Sequence, residues 1–186
     1  MTDSLLYTAQ DGPEGGLPWL VLADKYHSLD DVRRFGEAEL PADTRRIAVR
    51  GSRVQTIGGN GVPYGAYWHI GPVERPELST FGDALFQIEI VLGEVAERLG
   101  TPVGLLGQGQ GAVLAMVLGF LWPERVREIT AIGAGFPQTL SAMPVTLQQA
   151  PHITVTLRDV DAEVLEQTSL VARELGASVA GAVRSS

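Results

Sequence analysis

Residues 102–121 read PVGLLGQGQGAVLAMVLGFL. The apolar run 103–106 is short and bounded by Pro102 and Gly107, which suits a buried strand. The run 111–121 is apolar and long enough for a buried helix. Between them lies a turn in which Gly107, Gly109 and Gly111 alternate with glutamines, so the chain can pass sharply from strand to helix. The rest of the chain repeats this alternation. Strand candidates are 17–23, 46–50, 103–106, 128–132, 152–157 and 177–183, with a further edge strand at 5–9. Helix candidates are 29–40, 80–99, 111–121 and 162–175. Strands alternating with helices predict an α/β fold, a mainly parallel sheet with helices on both faces.

Leu85, Ile88, Leu92, Val95 and Leu99 recur at three- and four-residue steps, one face of the helix 80–99. Ser79 or Thr80 is suited to cap its start, and Gly100 with Pro102 to end it. The segment 51–78 is rich in glycine and proline and carries Tyr64, Tyr67, Trp68 and His69. It reads as a long irregular connection, a kind of segment that commonly carries function.

The length of 186 residues suits one domain, and the 45% apolar content is ordinary for a globular protein. The net charge of −8, without a basic run, argues against nucleic-acid binding. The absence of cysteine excludes disulfides and thiolate chemistry. No basic, then apolar, signal pattern opens the chain, and no apolar stretch is long enough to span a membrane. A cytoplasmic protein without membrane attachment is the expectation.

In order and spacing, the chain resembles the phospholipase/carboxylesterase family, the acyl-protein thioesterase-like serine hydrolases of the α/β-hydrolase superfamily. The resemblance runs over roughly residues 17–175. PWLVLADKYHSLDD occupies the place of the family's oxyanion loop and IAVRG that of its second strand end. YGAYWHI is similar to the aromatic loop, and GQGQGAVLAMVL to the G-x-S-x-G nucleophile elbow. The resemblance implies that the backbone amide of Gln110 belongs to the oxyanion hole.

The departures fall on the chemistry. Gly109 stands where the nucleophilic serine is expected, and glycine has no oxygen to attack a carbonyl. Ala23-Asp24 replaces the His-Gly of the oxyanion loop, so a carboxylate enters a region that should present donors to developing negative charge. Asp161 is the best match to the triad acid, with Asp159 the alternative. No histidine follows the last strand candidate, and the expected fold lacks the histidine loop and final helix. Two of three triad functions are missing.

His27, His69 and His152 read as structural or surface residues, and their spacing carries no metal signal. Gly107, Gly109 and Ala112 also fit a G-x-G-x-x-A dinucleotide fingerprint, but the acid about 20 residues further on lies before the next strand rather than at its end. The sequence therefore reads as a pseudo-esterase that binds a small ligand or a protein partner, with no cofactor. An active carboxylesterase or thioesterase with an unrecognised nucleophile is the alternative, and a dinucleotide-binding module is the third. The expected ligand site lies above Gly109 and comprises Asp24, Lys25, Tyr26, Tyr64, Trp68, His69, Gly109 and Gln110. A homodimer is expected, through the apolar strand 177–183 or a sheet face around Val103, Ile129 and Val155 left without cover.

Overall fold

The structure is a computed structural model that describes residues 6–57 and 62–184. Seven strands form one sheet in the order β1-β3-β2-β6-β7-β8-β9. They are β1 (Thr8–Asp11), β2 (Pro18–Leu22), β3 (Arg45–Val49), β6 (Val103–Gln108), β7 (Val126–Ile132), β8 (Thr154–Val160) and β9 (Ser178–Val183). Only β1 runs antiparallel, against β3 at one edge; the other pairings are parallel. The remaining strands, β4 (Arg53–Ile57) and β5 (Val62–Tyr67), form a separate antiparallel hairpin.

The sheet's central strands are apolar on both sides because helices cover both sides. Leu20 and Leu22 of β2 pack with Val103 and Leu105 into a core shared with α2 (Leu78–Leu99) and α3 (Gln110–Leu121). Trp19 and Val21 alternate to the opposite face, where α1 (Leu29–Glu39) supplies Val32 and Phe35. The fourth helix, α4 (Ala162–Glu174), packs on β8 and β9. Residues 110–120 of α3 are all buried, which explains why that helix is apolar all round rather than amphipathic. No helix among the described residues is long and apolar enough to cross a membrane.

Three expectations are corrected. The segment 51–78 is not irregular throughout, since it contains the β4–β5 hairpin. Helix α2 is capped by Glu77, whose carboxylate accepts from the backbone of Ser79 and Thr80, rather than by a hydroxyl. The sheet face around Val103, Ile129 and Val155 is not bare: these side chains are buried in the main core.

Candidate functional site

Three segments meet at the carboxyl end of the central strands. The first is the turn 24–27 after β2, the second the junction of β6 and α3, and the third the Trp68–His69 stretch after β5. Gly109, at the junction, has φ 52° and ψ −115°. Few residues adopt that conformation without strain, and it turns the chain from β6 directly into α3. The Gly109 amide donates to Ile132 O at 2.9 Å, tying the turn to the end of β7.

The space above Gly109 is not open. A Cβ built on Gly109 would lie 2.6 Å from Asp24 Oδ2 and closer still to the other carboxylate atoms. The Gln110 backbone N–H donates to Asp24 Oδ1 at 3.0 Å. Helix α3 has no acid in its first turn, and Gly109 offers no side chain to cap it. Asp24, 86 residues earlier in the chain, supplies the negative charge that a helix N-terminus favours. The expected ligand site above Gly109 is therefore corrected at its floor: the space a side chain at 109 would take is filled by the Asp24 carboxylate.

Gln110 joins the other two segments as well. Its side-chain oxygen accepts from the Trp68 N–H at 2.9 Å, and its amide nitrogen donates to His69 O at 2.8 Å. Trp68 is buried, and its indole N–H donates to Ala23 O at 2.9 Å. It braces the end of β2 before the 24–27 turn rather than lining open space. The turn is also strapped to β5: Tyr26 N–H donates to Ala66 O at 2.6 Å, and Ala66 N–H donates to His27 O at 3.2 Å.

His69 is buried, with Nδ1 3.2 Å from Ile70 O and Nε2 without a hydrogen-bond partner. Burial holds its pKa below the ordinary value, outweighing the opposing effects of the Ile70 carbonyl and the Asp24 charge. His27 Nδ1 lies 3.0 Å from Asp24 O, and His152 Nε2 2.8 Å from Pro123 O, so all three histidines contact backbone carbonyls. Lys25 and Tyr26 are exposed, with the ammonium 5.5 Å from the ring centroid. The side chain of Tyr64 lies outside the described residues. Among the described residues, no group of three or more His, Asp or Glu is placed to hold a metal ion.

A second feature escaped the sequence reading. A cleft of about 300 Å³ opens at the ends of β7 and β8, lined among others by Glu74, Gly133, Gln138, Asp161, Thr168 and Arg184. Asp161 is the N-cap residue of α4, but its side chain makes no capping bond. Asp159 sits at φ 54° beside a register shift between Leu157 and Val160, and its carbonyl accepts from Arg184 at 3.0 Å. No local motif marks this cleft, because its lining comes from five distant stretches of chain.

The geometry can be set beside solved structures. A carboxylesterase from Mesorhizobium loti superimposes with a TM-score of 0.78 at 18% identity, over 100% of this chain and 88% of the other. A Bacillus cereus carboxylesterase gives 0.76 at 13% identity, over 98% and 86%. Acyl-protein thioesterase 2 of Zea mays gives 0.55 at 12%, over 96% and 90%. The fold is that of the α/β-hydrolases. No family profile matches the chain, and no curated protein sequence matches it. Within this fold, the turn from β6 into α3 has Gly109 at its centre and the Asp24 carboxylate above it.

Proposed function

We propose that this chain is a non-catalytic α/β-hydrolase-like protein, a pseudo-esterase that binds a small ligand or a protein partner. A fold does not by itself bring an activity, so the reading rests on one observation: the Asp24 carboxylate occupies the oxyanion-hole amide above a glycine. A tetrahedral acyl intermediate needs that N–H for its own negative charge, and a carboxylate already there repels a second anion. The same argument weighs against a dinucleotide, whose pyrophosphate would need the start of α3. The cleft at the ends of β7 and β8 is the better place for a ligand, being concave and at the carboxyl edge of the sheet. We also propose that two copies pair through β9.

The test is direct. The purified protein is incubated with p-nitrophenyl acyl esters and with a fluorophosphonate probe. No burst of nitrophenol and no labelled residue are expected. A burst, or covalent labelling at one residue, refutes the reading and supports an active hydrolase with a relocated nucleophile.

A further inference from the structure

The cleft at the ends of β7 and β8 holds charged and polar groups that the fold leaves unpaired. Asp161 and Glu74 line it, and neither carboxylate has a hydrogen bond or an ion pair among the described residues. Glu163 differs, since it accepts from Gln167 at 2.9 Å. Arg184 lines the same cleft without pairing to any of these acids. One of its amino groups donates to Asp159 O at 3.0 Å, and its other side-chain N–H groups have no partner among the described residues. Thr168, also in the lining, is 1% exposed. Its Oγ1 accepts from the Phe136 N–H at 3.2 Å, and no described group accepts its hydroxyl proton. Such a buried donor is uncommon in a folded chain and asks for an acceptor. A side chain at Gly135 would overlap this hydroxyl. Gly133, at φ 77°, leaves the space beside it unfilled, with no atom within 4 Å of where its Cβ would stand. Val113 and Phe136 supply apolar lining.

We propose that this cleft binds a free apolar amino acid as its zwitterion. The proposal deepens the ligand-binding reading above, on which it rests, by naming the chemical class of the ligand. Arg184 takes the carboxylate, which matches the donor fork of a guanidinium. The Thr168 hydroxyl donates to a carboxylate oxygen. Asp161 and Glu74 take the ammonium, and the ligand's side chain lies on Val113 and Phe136. Charge decides the class. A simple amine would leave its positive charge facing Arg184, and a simple carboxylate would face two acids. A ligand carrying both charges gives each of these groups an opposite partner. The volume of about 300 Å³ is at the small end of ligand pockets, which suits an amino acid better than a peptide or a nucleotide.

The experiment titrates three probes into the parent protein at constant ionic strength: L-leucine, isoamylamine, which lacks the carboxylate, and isocaproate, which lacks the amine. Melting temperature and the backbone amide resonances of Gly133 and Gly135 are followed to about 20 mM probe, beyond the ~1 mM Kd of a weak small-ligand site. L-leucine is expected to bind saturably, to move both resonances, and to bind at least about ten-fold more tightly than either half-ligand, since each half lacks one set of charge-assisted bonds. Arg184→Gln and Asp161→Asn replace exposed side chains, so both variants are expected to keep the fold. Arg184→Gln should weaken L-leucine about ten-fold or more and leave isoamylamine no weaker than in the parent. Asp161→Asn should weaken L-leucine and isoamylamine together and leave isocaproate no weaker. A parent that binds no L-leucine in this range overturns the proposal, as does binding that leaves Gly133 and Gly135 unmoved. L-leucine affinity no better than that of a half-ligand, or unchanged in both variants, overturns it as well. None of these titrations involves turnover: a failure here removes the ligand class and leaves the non-catalytic reading standing, whereas a nitrophenol burst defeats that reading without touching the titrations.

Discussion

Asp24 and Gly109 occupy one another's space: the carboxylate of the first fills the volume that any side chain on the second would need. The residue at each of the two positions therefore accounts for the other. A serine at 109 would collide with Asp24, and a glycine at 109 without Asp24 would leave the first turn of α3 without its anion.

Gly109→Ser alone is expected to destabilise the protein by about 2–4 kcal/mol, from steric overlap and a positive φ at a non-glycine residue. Asp24→Ala in the same chain should recover part of that loss, with a coupling of about 1–3 kcal/mol between the two sites. Urea unfolding of the two single variants and the double variant measures it. Additive losses would show that the two positions do not compete for space. Neither serine variant should reach an ester turnover of about 1 s⁻¹, the low end of ordinary enzymes, because the groups nearest residue 109 are those of the Asp24 carboxylate rather than a histidine, and the double variant lacks even that carboxylate.

Gln110→Ala tests the joint between the three segments. The side chain is buried and satisfies the Trp68 N–H and the His69 carbonyl together. Its removal leaves both backbone groups without those partners, at a cost of about 2–4 kcal/mol. Circular dichroism should show a lowered urea midpoint with native secondary structure retained. An unchanged midpoint would mean that water replaces the amide without loss.

His69 sets an expected pH dependence. Burial lowers its folded-state pKa below the ordinary 6.5, so the unfolded chain takes up the proton first. Its contribution is therefore steady above about pH 6.5 and turns increasingly unfavourable as pH falls toward the lower, folded-state pKa. His69→Phe should flatten the stability profile over this range, as measured by urea midpoints at successive pH values. Asp31 and Glu77 act at lower pH. Bonds from Ser28 hold Asp31 at about 2, and bonds from Thr80 and Ser79 hold Glu77 at about 2. Both contribute above the ordinary carboxylate range and lose that contribution as pH falls toward 2. A His69→Phe profile parallel to that of the parent would count against the buried neutral ring.

The sequence made the sheet legible because its strands are short apolar runs bounded by glycine, proline and charge. Strand β6 and helix α3 appear where the glycine turn predicted them, to within two residues at either end. The hairpin β4–β5 was hidden, since Gly65 and Pro63 interrupt the alternation that marks a strand. At the site, Asp24, Gly109 and Gln110 were singled out from the sequence and do meet. What could not be read was that the carboxylate fills the space rather than lining it, since that depends on a contact across 86 residues. The cleft beside Asp161 and Arg184 was equally hidden, because no local pattern links β7, α4 and the residue after β9.

The last expectation concerns assembly through β9. This strand ends the sheet order, paired with β8 on one side and with no strand on the other among the described residues. Its sequence, SVAGAV, carries no charge and no proline, the usual protections of an open edge. Val183 is 50% exposed, and Leu170 on the adjoining helix is 61% exposed. A charge-free strand is complementary to an antiparallel copy of itself, and a two-fold axis through such a pair closes the assembly at two subunits. Sedimentation equilibrium at tens of micromolar protein is expected to show a species of twice the 19.9 kDa chain mass. Val183→Asp should shift it to the monomer without loss of fold, since the residue is half-exposed and its charge would face a like charge across the axis. A parent protein that sediments only as a monomer refutes the assembly. A dimer that survives Val183→Asp removes β9 as its seam.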